Sequence, residues 1–188
     1  MTVILTTDRL RLRNWTEEDR SLFHEINSDP DVMEFFAVRR GRAEADSMLD
    51  TIRDSITTTG LGFYAMALKE TDEPIGFCGL WKPKLEPFLP ADAIEIGWRL
   101  AKRHWGKGYA TEAGAAALRR GFTEFDPSEI VSFAVTDNHR STAVMRRLGL
   151  HHEPERDFDH PRVPDTHPHL KRHVLYTISR QQWKQATG

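Results

Sequence analysis

Residues 94–120 read IEIGWRLAKRHWGKGYATEAGAAALRR, and this stretch decides how the rest of the chain is interpreted. Its first seven residues alternate between apolar and other side chains, which is the period of a half-buried strand. Residues from Tyr109 onwards are rich in alanine and predict a helix. Between the two lies a basic loop, residues 99–108, with two glycines, four basic side chains and no acidic one, so its formal charge is +4. The stretch predicts a strand, a basic glycine turn and a helix.

The basic loop predicts a site for a phosphate or diphosphate. Glycines let the backbone turn tightly and approach a ligand, and the helix that follows points its free N–H groups at the same place. The alternative is an ordinary strand-to-helix turn with solvated basic residues. A Walker loop is excluded, because Ala101 stands where its first glycine is required. A dinucleotide fingerprint lacks its third glycine at Thr111, which weakens the alternative of a nicotinamide oxidoreductase.

Composition limits the remaining possibilities. The chain has 188 residues, 26 Lys and Arg, 28 Asp and Glu, one Cys and a net charge of −2. That balance argues against general nucleic-acid binding, and a single cysteine forms no internal disulfide. No apolar stretch approaches the ~20 residues of a membrane span, so we expect a cytoplasmic protein without a membrane partner.

Hydrophobic periodicity predicts one domain over residues 1–188 with a mixed α/β sheet. Helices are predicted after Thr16, over 43–57, over 109–125 and over 140–148. Strands are predicted over 8–15, 63–68, 74–81, 93–100, 130–135 and 171–179. Residues 153–169, rich in Pro, His and Asp, are predicted to form a long surface loop.

One family matches the glycine pattern. Arg103-x-x-Gly106-x-Gly108 followed by Ala110 resembles the acetyl-CoA loop of the GCN5-related N-acetyltransferases (GNAT). The string WGKGYATEA at 105–113 is similar to the branch of ribosomal-protein amino-terminal (RimJ/RimL-type) acetyltransferases. Further stretches agree with that branch, namely TDRLRLR at 7–13, SDPDVM at 28–33, EIGW at 95–98, and DNHRS at 137–141 leading to Leu148-Gly149.

The resemblance implies a GNAT-like α+β fold, with about seven strands in a V-shaped mixed sheet, about four flanking helices and acetyl-CoA in the cleft. It implies transfer of an acetyl group from acetyl-CoA to a primary amine, without a metal. The cofactor-binding residues that it implies are Trp98, Arg99, Leu100, Arg103, His104, Trp105, Gly106, Lys107, Gly108, Tyr109, Ala110, Thr111, Asn138 and Ser141.

Two catalytic residues are predicted. Glu95 lies where the resemblance implies that two neighbouring strands begin to separate, and it is the candidate general base. The alternative is an ion pair with Arg99, which lies four residues further along the chain on the same face of the strand. Many relatives have a tyrosine acid where this chain has Met145, so the thiolate is expected to take its proton from Ser141. The alternative for Asn138 and Ser141 is a helix cap.

Candidate acceptor-binding residues are Phe35, Phe36, Trp81, His160 and His173, and for each of them a place in the core is the alternative. His167-x-His169 near His173 matches no closed zinc site, so no metal is predicted. Cys78, without a paired base in the sequence pattern, is predicted to pack rather than to act as a nucleophile.

The acceptor is expected to be a protein amino terminus or a small-molecule amine, with transfer in a ternary complex and no nucleic-acid partner. A monomer or a homodimer suits such a chain. The alternative function is a catalytically silent module that binds acyl-CoA.

Overall fold

The computed structural model describes residues 2–187, and the chain divides into two compact units. The first unit comprises Met1–Trp81 and Gly97–Ala117, and the second comprises Lys82–Ile96 and Leu118–Gly188. Of the three boundaries, one follows Trp81 and the other two fall inside strand β5 (Ile94–Leu100) and helix α3 (Tyr109–Arg120). The single domain expected from the sequence stays a prediction.

The first unit is built on antiparallel strands. Strands β1 (Val3–Thr6), β2 (Leu10–Arg13), β3 (Gly62–Leu68) and β4 (Pro74–Trp81) pair in that order, and the strand order continues from β4 to β5. Helices α1 (Arg20–Ser28) and α2 (Arg42–Thr59) stand between β2 and β3 in the chain. The predicted order of strand, two helices and two strands is confirmed here, although β1 was not predicted.

The helical segment begins after Thr16 as predicted, with a 3-10 turn over Glu17–Asp19 that leads into α1 at Arg20. The Asp19 carboxylate accepts the Thr16 N–H at 2.8 Å and two hydrogen bonds from Arg13, at 2.6 and 2.9 Å. The Arg13 and Asp19 side chains are both buried, and the Asp19 pKa is lowered because these bonds outweigh the effect of burial. Strict alternation in β2 puts Arg13 on the face opposite Leu10 and Leu12, yet the structure buries Arg13 against Asp19.

The second unit mixes parallel and antiparallel pairing. Strand β6 (Glu129–Val135) is parallel to β5, with a register of only two residues, Ile94 on Ile130 and Glu95 on Val131. Strand β9 (Arg172–Ser179) pairs antiparallel with β6 and also with two short strands, β7 (His151–His152) and β8 (Phe158–Asp159). Helices α4 (His139–Arg147) and α5 (Arg180–Thr187) flank these strands in the chain.

Helix α3 packs through its small residues, as its sequence predicts. Ala113 and Ala117 are fully buried and Gly114 is buried. After Arg120 the helix continues as a π-helical turn over Gly121–Phe125, and Asp126 in the left-handed region ends it. The predicted end near Phe125 is therefore confirmed, with a change of helix type in its last turn.

Within residues 2–187 the structure has nine strands and five α-helices, where about seven and about four were expected. The additional strands are short or lie at an edge, and one of them, β8, falls in the segment 153–169 that was predicted to be a loop. Helix α5, with the sequence RQQWKQAT, has no apolar stripe, and Trp183 stacks on Phe122 with ring centroids 5.0 Å apart. No helix in this described range is long and apolar enough to cross a membrane.

Candidate functional site

The backbone between β5 and α3 makes the tight turn that its glycines predict. Lys102–His104 form one 3-10 turn, and the Trp105 indole N–H donates to the Leu100 carbonyl oxygen at 2.9 Å. Gly106 and Gly108 have φ angles of 73° and 79°, which residues with a side chain adopt only with strain. A Cβ at Gly106 would meet no atom within 4 Å, so glycine is needed there for its conformation and not for space.

The backbone N–H groups in the second half of this turn, from Gly106 onwards, have no acceptor among the described residues. Across residues 2–187, none of the six backbone N–H groups from Gly106 to Thr111 finds an acceptor. The first hydrogen bond of α3 runs from the Glu112 N–H to the Gly108 carbonyl oxygen at 3.0 Å. Consecutive free N–H groups at the start of a helix carry partial positive charge, so this turn suits an anion with several oxygen atoms.

Glu112 and Arg9 hold the turn in place. The Glu112 carboxylate accepts the Thr7 hydroxyl at 2.6 Å, the Arg9 N–H at 2.9 Å and the Arg9 Nε at 2.7 Å. Arg9 also donates to the Lys107 carbonyl oxygen at 3.0 Å and lies over the Tyr109 ring. Burial acts to raise the pKa of Glu112, but the hydrogen bonds from Thr7 and Arg9 outweigh it and lower the pKa.

Only part of the positive charge in the basic loop is left for a ligand. Lys102 donates to Asp31 at 2.5 Å, and Arg103 is paired with Glu25 in α1. Within the described range, the ammonium group of Lys107 contacts no carboxylate. Lys107 is therefore the cation of this loop best placed to meet an anion at the free N–H groups.

Arg99 has a neutral partner. Its guanidinium donates to the Asn27 side-chain oxygen at 2.5 Å and lies over the rings of Phe36 and Phe77, at 4.2 and 5.3 Å from their centroids. The observed hydrogen-bond partner of Arg99 is thus Asn27. The ion pair with Glu95, which the sequence left open as an alternative, is not the observed contact.

His104 is buried, although the sequence resemblance implied a cofactor contact. Neither ring nitrogen has a hydrogen-bond partner within residues 2–187, and a carboxylate oxygen of Glu73 lies 3.6 Å from Nε2. Burial lowers the pKa of His104, and the charges of Arg103 and Lys107 add to that effect. The ring is therefore neutral at pH 7, and its contact with a cofactor stays a prediction.

Glu95 lies in the second unit, where β5 pairs with β6, and its carboxylate is half-buried. Burial raises its pKa to about 8, while the charge of Arg162 acts in the opposite direction. Arg162 is itself held by the carbonyl oxygens of Pro83 and Lys84, at 2.9 and 2.8 Å. A carboxyl group with a pKa close to neutrality suits a general base.

Asn138 and Ser141 stand at the start of α4. The Asn138 side-chain oxygen accepts the Ser141 N–H at 3.1 Å, so Asn138 is the helix cap that the sequence alternative described. The Ser141 hydroxyl makes no hydrogen bond to another described residue. Met145, one turn further along, is 1% exposed and carries no proton to donate.

The predicted acceptor-binding aromatics of the first unit occupy different environments. Phe36 is 45% exposed, and Phe35 is half-buried. Trp81 stacks on Phe63 with centroids 5.8 Å apart, and Phe63 stacks on Phe77 in turn. Of the three predicted residues, Phe36 is the one most open to solvent.

His160 and His173 lie together in the second unit, with ring centroids 4.9 Å apart, beside Phe133 and Phe158. Burial lowers the pKa of His160 to about 4 and also lowers that of His173. Both rings are therefore neutral at pH 7. Most of the segment 153–169 is exposed or half-buried, as expected of a surface loop, but Phe158 within it is buried and anchors it.

No group of three or more His, Cys, Asp or Glu side chains among residues 2–187 is arranged to hold a metal ion. Cys78 is buried, and burial raises its pKa to about 12, so its thiol is not an activated nucleophile.

Three residues that shape these sites were not predicted as functional. Arg9 and Glu112 lie in stretches that carry the family resemblance, and that shared pattern is the signal that could have found them. Asn27 has no such signal, because only the tertiary structure brings it to Arg99.

Comparison with known proteins accounts for this arrangement. Residues 9–151 match the family model described as an acetyltransferase (GNAT) domain. The chain is 31% identical over 149 residues to the uncharacterized protein YkkB of Bacillus subtilis, which covers 79% of this chain and 85% of YkkB. It is 29% identical to the FsC-acetyl coenzyme A-N(2)-transacetylase of Aspergillus fumigatus, over 95% of this chain and 77% of that enzyme.

Solved structures show the same fold. RimL, a ribosomal L7/L12 alpha-N-protein acetyltransferase in complex with coenzyme A, superposes with a TM-score of 0.73 at 17% identity, over 96% of this chain and 99% of RimL. The family match, its coverage of most of the chain and the shared mixed α/β fold agree with the resemblance seen in the sequence. The chain belongs to the GNAT family and is an acetyl-CoA-dependent N-acetyltransferase.

Proposed function

We propose that this enzyme moves the acetyl group of acetyl-CoA directly to the amine of an acceptor, within a ternary complex. The observation that carries the proposal is the run of free N–H groups from Gly106 to Thr111 beside Lys107. A diphosphate has the charge and the number of oxygen atoms that such a run requires. The residues of this chain therefore fit the diphosphate of coenzyme A.

The cofactor-binding set is the one that the family resemblance implies. In it, N–H groups near Trp98 and Leu100 polarise the thioester carbonyl, and Asn138 and Ser141 contact the cofactor from α4. Arg103 and Lys102, paired with acids, contribute less charge than the sequence suggests. Lys107 supplies the main positive charge at the diphosphate.

Glu95 acts as the general base in this proposal. An α-amino group of pKa near 8 is roughly a tenth neutral at pH 7, at a cost of about 1.4 kcal/mol, whereas a lysine near 10.4 requires about 4.6 kcal/mol. A carboxyl group with a pKa of about 8 is well matched to the amine that is easier to deprotonate. We therefore favour an α-amine, or a small-molecule amine of similar pKa, as the acceptor.

Ser141 donates the proton that the departing thiolate needs. Its hydroxyl makes no other hydrogen bond within the described part of the chain, and Met145 cannot take this role. Phe35, Phe36, Trp81, His160 and His173 remain the proposed acceptor-binding residues, with the two histidines neutral at pH 7.

The second candidate function is a silent acyl-CoA-binding module, and Met145 is the observation that favours it. A chain that binds acetyl-CoA but releases no free thiol with any amine would support that function. Release of thiol with an amino-terminal peptide, a polyamine or an aminoglycoside would exclude it.

The pH profile of Glu95→Gln tests the mechanism. With a peptide α-amine as acceptor, the wild-type kcat/KM should exceed that of E95Q by about 100-fold above pH 8. The gap should shrink as the pH falls to 6, because the carboxylate is present only above its pKa of about 8. Glu95→Asp is the matched control and should restore part of the pH-dependent rate. Parallel profiles for wild type and E95Q would remove Glu95 from the mechanism.

Thermal unfolding checks the same group without a substrate. Because the pKa of Glu95 is raised in the folded protein, the stability linked to this group is lost as the pH rises from about 4.5 to about 8. E95Q lacks the titrating carboxyl group and has no such loss. The Tm of E95Q minus that of wild type should therefore increase as the pH rises through this window. A constant Tm difference from pH 4.5 to 8.5 would contradict the raised pKa.

A further inference from the structure

Asn27 contacts the side chain of Arg99 and the backbone of Arg40 in the first unit. The backbone N–H of Arg40 donates to the Asn27 carbonyl oxygen at 2.9 Å, and the Arg99 guanidinium donates to the Asn27 side-chain oxygen at 2.5 Å. Asn27 is fully buried, and its side-chain amide donates to the Phe23 carbonyl oxygen at 2.7 Å. Asn27 is therefore a fixed, neutral partner for the Arg99 guanidinium, and it also holds the backbone from which the Arg40 side chain extends.

No carboxylate balances these two charges. Over residues 2–187, neither Arg40 nor Arg99 forms an ion pair with an acidic side chain. The next basic residues along the chain differ, since Lys102 is paired with Asp31 and Arg103 with Glu25. Helix α1 and the loop after it thus supply acidic partners to Lys102 and Arg103, but only a neutral amide to Arg99.

The pair is accessible and partly desolvated. Arg40 and Arg99 are half-buried, and the exposed ring of Phe36 covers one face of the Arg99 guanidinium. Burial and the charge of Arg40 lower the pKa of Arg99 to about 9, which reflects an environment short of negative charge. Partly buried cations without a counter-ion attract an anion, and planar guanidinium groups bind carboxylate or phosphate with two hydrogen bonds.

We propose that Arg99, held by Asn27 and flanked by Phe36, binds an anionic group of the acceptor together with Arg40, whose backbone is held by the same asparagine. The inference rests on the proposed function, because it specifies the acceptor of the same reaction. It assigns the acceptor to amines that also carry a carboxylate or a phosphate, such as an acidic amino-terminal peptide or an amino acid. It also moves Arg99 from the predicted cofactor set to the acceptor.

Matched acceptors test the assignment. The probes are β-alanine against β-alaninamide, and Ser-Glu-amide against Ser-Gln-amide, each assayed by release of free thiol from acetyl-CoA. We expect wild type to favour the carboxylate member by about 10-fold or more in kcat/KM, mainly through KM. Arg40→Gln should reduce that preference to less than about 3-fold, and Arg40→Glu should reverse it.

Arg39→Gln is the matched control, because Arg39 is the exposed neighbour on the same loop and should leave the preference unchanged. Coenzyme A has a 3′-phosphate that offers the same chemistry, so KM is also measured for acetyl-CoA and for 3′-dephospho-acetyl-CoA. If R40Q raises KM for acetyl-CoA but not for the dephospho form, the anion belongs to the cofactor and the inference is overturned.

An equilibrium measurement separates this inference from the proposed function. Succinate, compared with sodium chloride at equal ionic strength, should raise the Tm of wild type and R39Q more than that of R40Q. If no amine is acetylated but this difference is present, the proposed function fails and the anion site stands. If amines are acetylated and wild type, R39Q and R40Q share one preference, the function stands and the inference fails.

Discussion

Helices α3 and α4 both follow a strand, yet their amino termini are different. At α4 the Asn138 side chain accepts the Ser141 N–H at 3.1 Å, which satisfies one of the free donors. At α3 the N–H groups from Gly106 to Thr111 have no acceptor in the described chain, and the nearest acid, Glu112, is turned to Thr7 and Arg9. The chain itself supplies an acceptor at the start of α4, whereas the described chain supplies none at the start of α3, whose N–H groups stay available to an anion.

The difference shows that the start of α3, and not that of α4, has backbone donors available for a ligand. The basic loop needs left-handed glycines and an external clamp from Arg9, which adds nothing to the internal hydrogen bonding of α3. Such local openness is typical of a ligand site, while α4 follows the general rule of helix capping. Three substitutions break or sharpen this comparison, and they follow in order of expected effect.

Lys107→Glu should have the largest effect. It replaces a cation that contacts no carboxylate in the described chain by a carboxylate that competes for the free N–H groups and repels the diphosphate. We expect the KM for acetyl-CoA to rise by about 100-fold, equivalent to about 2.7 kcal/mol, with a change in Tm of only a few degrees. Lys107→Gln should show a smaller increase in KM. Equal KM values for wild type and K107E would contradict the anion site.

Glu112→Gln should have an intermediate effect, on stability first. The substitution removes the charge that accepts the Thr7 and Arg9 hydrogen bonds and places an amide donor opposite them. Urea denaturation should show a loss of about 1–2 kcal/mol, together with a modest rise in KM for acetyl-CoA as the turn loosens. Glu124→Gln, at an exposed pair with Arg120, is the control and should change little. An unchanged midpoint for E112Q would mean that the clamp is not a stabilising contact.

Asn138→Ala should have the smallest effect, a loss of about 1 kcal/mol in unfolding free energy, because the cap of α4 disappears. Asn138→Asp keeps a capping oxygen and should retain the wild-type stability. Because N138D adds a negative charge, it should raise the KM for acetyl-CoA if Asn138 also contacts the cofactor as predicted. Wild-type KM values for both variants would leave Asn138 as a cap only.

Much of the fold could be predicted because periodic patterns and capping residues act locally. The bounds of β4 agree with prediction to the residue, and those of α2 and β6 to within two residues, as expected where alternation or an apolar stripe is regular. Helix α5 and the strands β1, β7 and β8 could not be predicted, because they are short or polar and depend on tertiary contacts. Arg13 shows the limit of alternation, since its buried partner Asp19 comes from the following turn.

The sequence by itself determined the family, because its motifs are read directly from the residues. It also determined the glycine turn and the helix that follows, because glycine and alanine have intrinsic backbone preferences. Only the tertiary structure decided which charges in that turn are free, because Glu25, Asp31 and Asn27 reach it from 70 or more residues away. The pKa of about 8 at Glu95 is likewise a property of burial, which no local pattern encodes. Electrostatic effects depend on distance in space, and the linear chain does not specify that distance.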